Sequence, residues 1–139
     1  MPEATTLILD LDLHGGVPIY RQLMDQVRRQ ILLGQLQEGE QIESVKSLAS
    51  RLKINPMTVS KAYGYLVQEG FLDRRKGVGL FVRAVRKDVK RRRQTQMLDQ
   101  AMSNVAALAV QMGIPEKEAL QLFSELYRKF DHQTMGEQR

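Results

Sequence analysis

Five stretches of this chain carry apolar residues at helical spacing, and short alternating runs separate them. Pro18 to Leu33 puts Ile19, Leu23, Val27 and Ile31 on one stripe, flanked by Tyr20 and Met24, and Gly34 ends it. A shorter pattern holds Val45, Leu48, Ala49 and Leu52, with Ser44 as N-cap. The next holds Val59, Ala62, Tyr63, Leu66 and Val67, with Asn55 as cap, Pro56 at the first helical position and Gly70 past the end. Lys53 and Ile54 leave room between these two for nothing but a sharp turn. Phe71 to Arg75 and Leu80 to Arg83 then read as strands around a Lys76-Gly77-Val78-Gly79 turn. Helix, turn, helix, hairpin is the order of a winged helix-turn-helix. Tyr63 shares the stripe of Val59 and Leu66 and is expected in its core.

Two further helices follow. Gln94 to Met112 carries Met97, Ala101, Val105, Leu108 and Met112 along one line, widened by Leu98, Met102 and Ala109. Gly113-Ile114-Pro115 ends it, and Glu116 to Phe130 presents Ala119, Leu120, Phe123, Leu126, Tyr127 and Phe130. Two helices folded on each other cannot cover stripes this broad, so the pattern asks for a second copy of the chain. The methionines could instead form a ligand-binding surface; packing is the preferred reading. His132 to Arg139 reads as a frayed tail. At the other end, Leu7, Leu9, Leu11 and Leu13 alternate with Ile8, Asp10 and Asp12, a short extended segment broken at Gly15-Gly16. Gln35 to Gln41 reads as a polar connector turning at Gly39. The fold class expected is mainly α with a small β-hairpin wing. It divides into an N-terminal segment and winged helix over 1–83, and a linker and two-helix dimerisation region over 84–139.

Charge is concentrated where the winged helix falls. The chain carries a net +5, but residues 41–93 hold 14 Lys/Arg against 4 acids, a net of +10, and the remainder is net −5. Such a footprint suits a polyanion, because each neutralised phosphate releases counterions. From Arg83 to Arg93 seven basic residues face only Asp88, which reads as a solvated helix start or as added contact to a nucleic-acid backbone. With no cysteine there is no disulfide framework and no thiolate metal site. His14 and His132 are the only histidines, and no paired carboxylates sit in an apolar setting, so no nucleophile–base constellation can be assembled. No enzyme activity, metal or cofactor is therefore expected. The Gly-x-Gly of the hairpin is not a phosphate loop, since no helix follows it within the motif. No stretch approaches the ~20 apolar residues of a membrane-spanning helix, and no secretory leader is evident. A cytoplasmic, nucleoid-associated location is expected.

Ser44-Val45-Lys46, Leu48-Ala49, Leu52 with Ile54, Thr58-Val59, Leu66 to Gly70 and Gly77-Val78-Gly79-Leu80-Phe81-Val82 occur in the order and spacing of a known pattern. The segment resembles the DNA-binding domain of the GntR family of bacterial transcription regulators. Asn55-Pro56, Lys61-Ala62-Tyr63 and Pro18-Ile19-Tyr20 are similar to its YtrA-type subfamily, and the matches span about half the chain. The resemblance implies a helix packed across the reading motif, a two-helix C-terminal dimer, and a target such as a membrane-transporter operon that includes the regulator's own gene. It implies a DNA-contacting cation at Lys46, where the family usually has Arg; a Lys there meets a phosphate without the bidentate fork. Ile42-Glu43 stands in place of the usual Leu-Pro, so the start of that helix is expected to differ. Pro56 and Ser60 stand where many members have Arg, so operator letters do not carry over.

The expected partners are double-stranded DNA bearing a palindromic operator and a second copy of the chain. The helix opened by Pro56 would lie in the major groove. Candidate DNA contacts are Ser44, Lys46, Asn55, Pro56, Met57, Thr58, Ser60 and Lys61, with Arg75, Lys76, Gly77 and Gly79 in the wing. Asn55 caps its helix, contacts a base, or does both; Thr58 touches DNA or is plain helix surface. Candidate dimer contacts are Met97, Ala101, Val105, Leu108, Met112, Leu120, Phe123, Leu126, Tyr127 and Phe130. The function expected is that of a homodimeric repressor, with a winged-helix module lacking sequence preference as the alternative. About 45 residues beyond the basic linker are too few for a deep effector cavity within one chain.

Overall fold

A computed structural model describes residues 3–137. In chain order the elements are α1 (Ile19–Leu32), β1 (Gln41–Ile42), α2 (Val45–Leu52), α3 (Pro56–Gln68), β2 (Leu72–Arg75), β3 (Gly79–Val82), α4 (Lys87–Gln111) and α5 (Glu116–Glu137). They divide into two units, Met1–Gln94 and Thr95–Arg139; the first takes in the wing and the first turns of α4. Among the described residues no helix is long and apolar enough to cross a membrane.

The reading motif is built by local chemistry. Ser44 caps α2, its hydroxyl accepting from the Ser47 N–H at 3.1 Å. Lys53, at φ +55°, turns the chain left-handed straight after α2, and two residues later Asn55 caps α3 by accepting from the Met57 N–H at 2.8 Å. Pro56 sits at the start of α3, where a missing N–H costs nothing. Behind the motif the stripe of α1 (Leu23, Met24, Val27 and Ile31) is buried with Leu48 and Ala49 of α2 and Val59, Ala62, Tyr63 and Leu66 of α3. Arg28 of α1 grips Glu69 beyond α3 at 2.9 Å.

The sheet has a strand that apolar patterning does not reveal. β1 pairs antiparallel with β3 (Gln41↔Phe81, Ile42↔Leu80), giving the order β1-β3-β2. Two residues have no period, so Gln41 reads as connector; Ile42, 1% exposed, is the strand's buried member. The N-terminal segment extends this edge. Thr5 bridges Ile42 in parallel, its N–H donating to Gln41 O at 2.7 Å and its carbonyl accepting from Glu43 N–H at 3.0 Å.

That segment is laid along α1 by three glutamines. The Gln26 amide accepts from the Asp10 N–H at 2.8 Å and donates to the Asp10 carbonyl at 2.6 Å. Gln22 does the same for Asp12, at 2.8 and 2.9 Å, and Gln30 donates to the Ile8 carbonyl at 2.7 Å. Four residues of helix rise about 6 Å and two residues of strand about 6.6 Å, so glutamines spaced by four meet alternate backbone groups of an extended chain. Leu7 is consequently buried and Leu9 and Leu11 half-buried on the inner side, while Ile8 and Leu13 face outward.

Glu43 is the buried polar residue of this unit, 4% exposed. Its carboxylate accepts from the Leu7 N–H at 2.8 Å, the Ser47 hydroxyl at 3.2 Å and the Arg51 guanidinium. Arg51 also donates to the Leu7 carbonyl, and the Tyr63 hydroxyl to the Glu43 carbonyl at 2.9 Å. Burial by itself raises the carboxyl's pKa. The Arg51 hydrogen bond, the Leu7 N–H, the Arg51 charge and the Ser47 hydroxyl together outweigh it and hold the group below its ordinary value. Burial, then the Glu43 charge, pushes the Tyr63 phenol well up.

Past the wing, α4 is fastened to the first unit at its start. Arg93 and Arg28 both lie over the buried Phe71 ring, at 5.2 and 5.8 Å, and Gln94 donates to the Leu32 carbonyl at 2.7 Å. The second unit, the rest of α4 with α5, is different in kind. Around its Gly113 turn Ala109, Ile114 and Ala119 are half-buried, while most other side chains are exposed. The tail expected to fray is helical from His132 to Glu137, continuing α5; Thr134 donates its hydroxyl to the Phe130 carbonyl at 3.0 Å. The stretch lacks an apolar stripe, but the end of a buried face is not by itself a helix stop, and no Pro interrupts it. Residues 138 and 139 lie outside the described residues.

Two measurements check this architecture. Replacing Gln22 and Gln26 together by Ala should speed amide exchange at Asp10 and Asp12 about fivefold each, leaving α3 unchanged, since each lost amide pair is worth about 1 kcal/mol. Glu43→Gln should cost about 2 kcal/mol at pH 7. The folded pKa of Glu43 lies below its unfolded value, so its contribution is complete above roughly pH 4.5 and fades as pH falls through the folded value. Thermal unfolding followed against pH should therefore show the two proteins converging only on the acid side.

Candidate nucleic-acid interface

The site is a surface with no carboxylate in its middle. From Ser44 to Gln68, spanning α2 and α3, there is no acidic residue, and the preceding Glu43 is buried and paired with Arg51. Arg51 is the one arginine in that span, and its guanidinium is engaged by Glu43 and the Leu7 carbonyl. What faces outward at the start of α2 and along α3 is Ser44, Lys46, Asn55, Pro56, Met57, Ser60 and Lys61, all exposed, with Thr58 half-buried.

Two clefts join these residues across elements. One is lined by Val45, Lys46, Ala49, Ser50, Ile54 and Pro56 and connects α2 to the start of α3. The other is lined in part by Glu43, by Ser44 and Ser47 at the start of α2 and by Val78 and Gly79 of the wing. The start of α2 thus borders both clefts, one shared with the start of α3 and the other with the wing.

The wing is held open by glycine geometry and by an unforeseen residue. Gly77 has φ +76° and Gly79 φ +145°, values that L side chains rarely adopt, and the Val78 N–H closes the turn on Arg75 O at 3.0 Å. Gln41 of β1 donates to the Val78 carbonyl at 3.0 Å, and a Cβ on Gly79 would lie 2.6 Å from its amide nitrogen. Arg75 stacks over Phe81 at 4.1 Å, while Lys76 and Gly77 are exposed at the tip.

Lys61 has a partner that the sequence reading did not supply. Its ammonium lies 4.0 Å over the Tyr20 ring at the start of α1, and Tyr20 packs against Tyr65 at 5.9 Å. Tyr20 and Gln41 are thus the residues of this surface that patterning missed. Each acts across elements far apart in sequence, and neither breaks a local period. Of the dimer candidates, Met97 is half-buried, and Ala101, Val105, Leu108, Met112, Leu120, Phe123, Leu126, Tyr127 and Phe130 are exposed. The last four, with Asp131 and Thr134, line an apolar hollow on α5, where Phe123 and Tyr127 lie 6.0 Å apart. Among the described residues no group of three His, Asp or Glu gathers where a metal ion could be held.

Comparison with known proteins agrees with this geometry. The model of the family described as bacterial regulatory proteins, gntR family, matches residues 19–82, from α1 to the end of β3. The transcriptional repressor YtrA of Bacillus subtilis is 35% identical over 75 residues, 54% of this chain and 58% of that protein. The chain therefore spans little more than half the length of that relative. Among solved structures, a transcriptional regulator from Oenococcus oeni aligns with a TM-score of 0.65 at 26% identity, over 84% of this chain and 97% of its own. YtrA from Sulfolobus acidocaldarius, a GntR-family transcription factor, is 36% identical, with a TM-score of 0.54, over 70% of this chain and 99% of its own. The chain belongs to the GntR family of bacterial transcription regulators.

Proposed function

We propose that this chain is a homodimeric repressor that binds a palindromic DNA operator. The observation that carries the reading is the run from Ser44 to Gln68, which has no acidic residue, with Lys46 and Pro56 lining a cleft at the start of α3 and Ser44 and Ser47 lining one beside the wing. Lys46 and Lys76 supply charge for phosphates, and the start of α3 presents an amide, hydroxyls and an apolar side chain at a width the major groove accepts. Residues 1–83 are the DNA-binding head and 84–139 the linker and dimer region. The exposed stripe of α4 and the hollow of Phe123, Leu126, Tyr127 and Phe130 are apolar surface of a kind that a second copy covers. Two heads related by a two-fold axis then match an inverted repeat. The resemblance points to a transporter operon and the protein's own gene as the target.

Selection of bound duplexes from a random pool by the purified chain tests the reading. An inverted repeat is the expected outcome, and it gives the half-site spacing; recovery without a common sequence refutes sequence-specific repression and leaves a winged helix that binds DNA without reading it. Phe123→Asp should convert the dimer to monomer in sedimentation and weaken binding to the full repeat by about 100-fold. Affinity for a single half-site should be unchanged.

A further inference from the structure

We propose that Met57 is a specificity-determining residue that recognises a thymine by its 5-methyl group in the major groove. The inference rests on the DNA-reading proposed above and adds what α3 reads. Met57, in the first turn of α3, is 78% exposed. Its backbone N–H is already taken by Asn55. The side chain therefore offers a polarizable apolar arm and no hydrogen-bond donor.

The surroundings favour an apolar contact. The cleft between α2 and the start of α3, about 390 Å³ and open, does not include Met57 but is lined by Val45, Lys46, Ala49, Ser50, Ile54 and Pro56, the last of these the immediate neighbour of Met57 in the chain. Among base edges in the major groove, the thymine methyl is the group that such a surface rewards. The strongest competing readout, a guanidinium bidentate on guanine, is missing from α2 and α3, because Arg51 is engaged with Glu43 and the Leu7 carbonyl. The Lys61 ammonium is drawn over Tyr20. Pro56 and the Thr58 methyl are the other apolar groups at the start of α3, and Met57 is the longest arm among them and 78% exposed.

The experiment takes the best duplex recovered from the random pool and replaces each thymine in turn by 2′-deoxyuridine, which removes only the methyl. Binding is measured with the wild-type chain and with Met57→Ala, an exposed substitution whose fold is checked by circular dichroism. One thymine per half-site should lose about fourfold in affinity on demethylation with the wild type, the worth of one methyl at about 0.8 kcal/mol. The same change should cost nothing with Met57→Ala. A recovered repeat in which no thymine shows this Met57-dependent loss overturns the assignment while leaving sequence-specific binding intact. Failure to recover any common sequence overturns both.

Discussion

The first unit depends on a buried carboxylate. Glu43 stands where β1 ends and α2 is about to start, and it gathers the Leu7 N–H, the Ser47 hydroxyl and Arg51, while its own carbonyl takes the Tyr63 hydroxyl. N-terminal segment, sheet edge, α2 and α3 are thereby referred to one point. A carboxylate out of water is tolerated only with partners on most of its lone pairs, and here they come from the N-terminal segment and from α2. The same arrangement takes from the outer surface an acid that would repel phosphate and engages Arg51, which stays partly exposed.

Charge on this molecule is therefore sorted rather than merely abundant. Arg28, Arg51, Arg83 and Arg86 meet carboxylates, and Arg75 and Arg93 lie over aromatic rings. An arginine stacked on a ring keeps its charge while its position is restricted, which suits a wing whose tip is shaped by Gly77 and Gly79. Around Phe71 the cations serve another end. With Gln94 on the Leu32 carbonyl they fasten the first turns of α4 to the head.

The reading motif was almost wholly legible in the sequence because its determinants are local. Ser44 and Asn55 cap, Pro56 starts and Gly70 stops within a few residues of the groups they satisfy, and 3.6-residue periodicity marks the buried side of each helix. β1 was not legible, because two residues cannot display a period and its pairing with β3 closes across some forty positions. The glutamine ladder on α1 was hidden for a related reason. Gln22, Gln26 and Gln30 read as ordinary polar surface until an extended segment lies beside them with a matching repeat. The end of α5 was misread in the opposite sense, since loss of an apolar stripe ends burial but does not end a helix.

The sequence by itself determined the order of the helices and the wing hairpin, the caps of α2 and α3, the winged-helix class and the broad apolar stripes of α4 and α5. Only the tertiary structure decided which cations remain outward, what holds the wing and where the N-terminal segment lies. Those outcomes turn on pairs such as Glu43 with Arg51, Lys61 with Tyr20 and Gln41 with Val78. Capping and amphipathicity act over a turn or two and leave a trace in spacing. Ion pairs, ring contacts and edge pairing act between elements, and their partners are fixed only when the core brings the elements together.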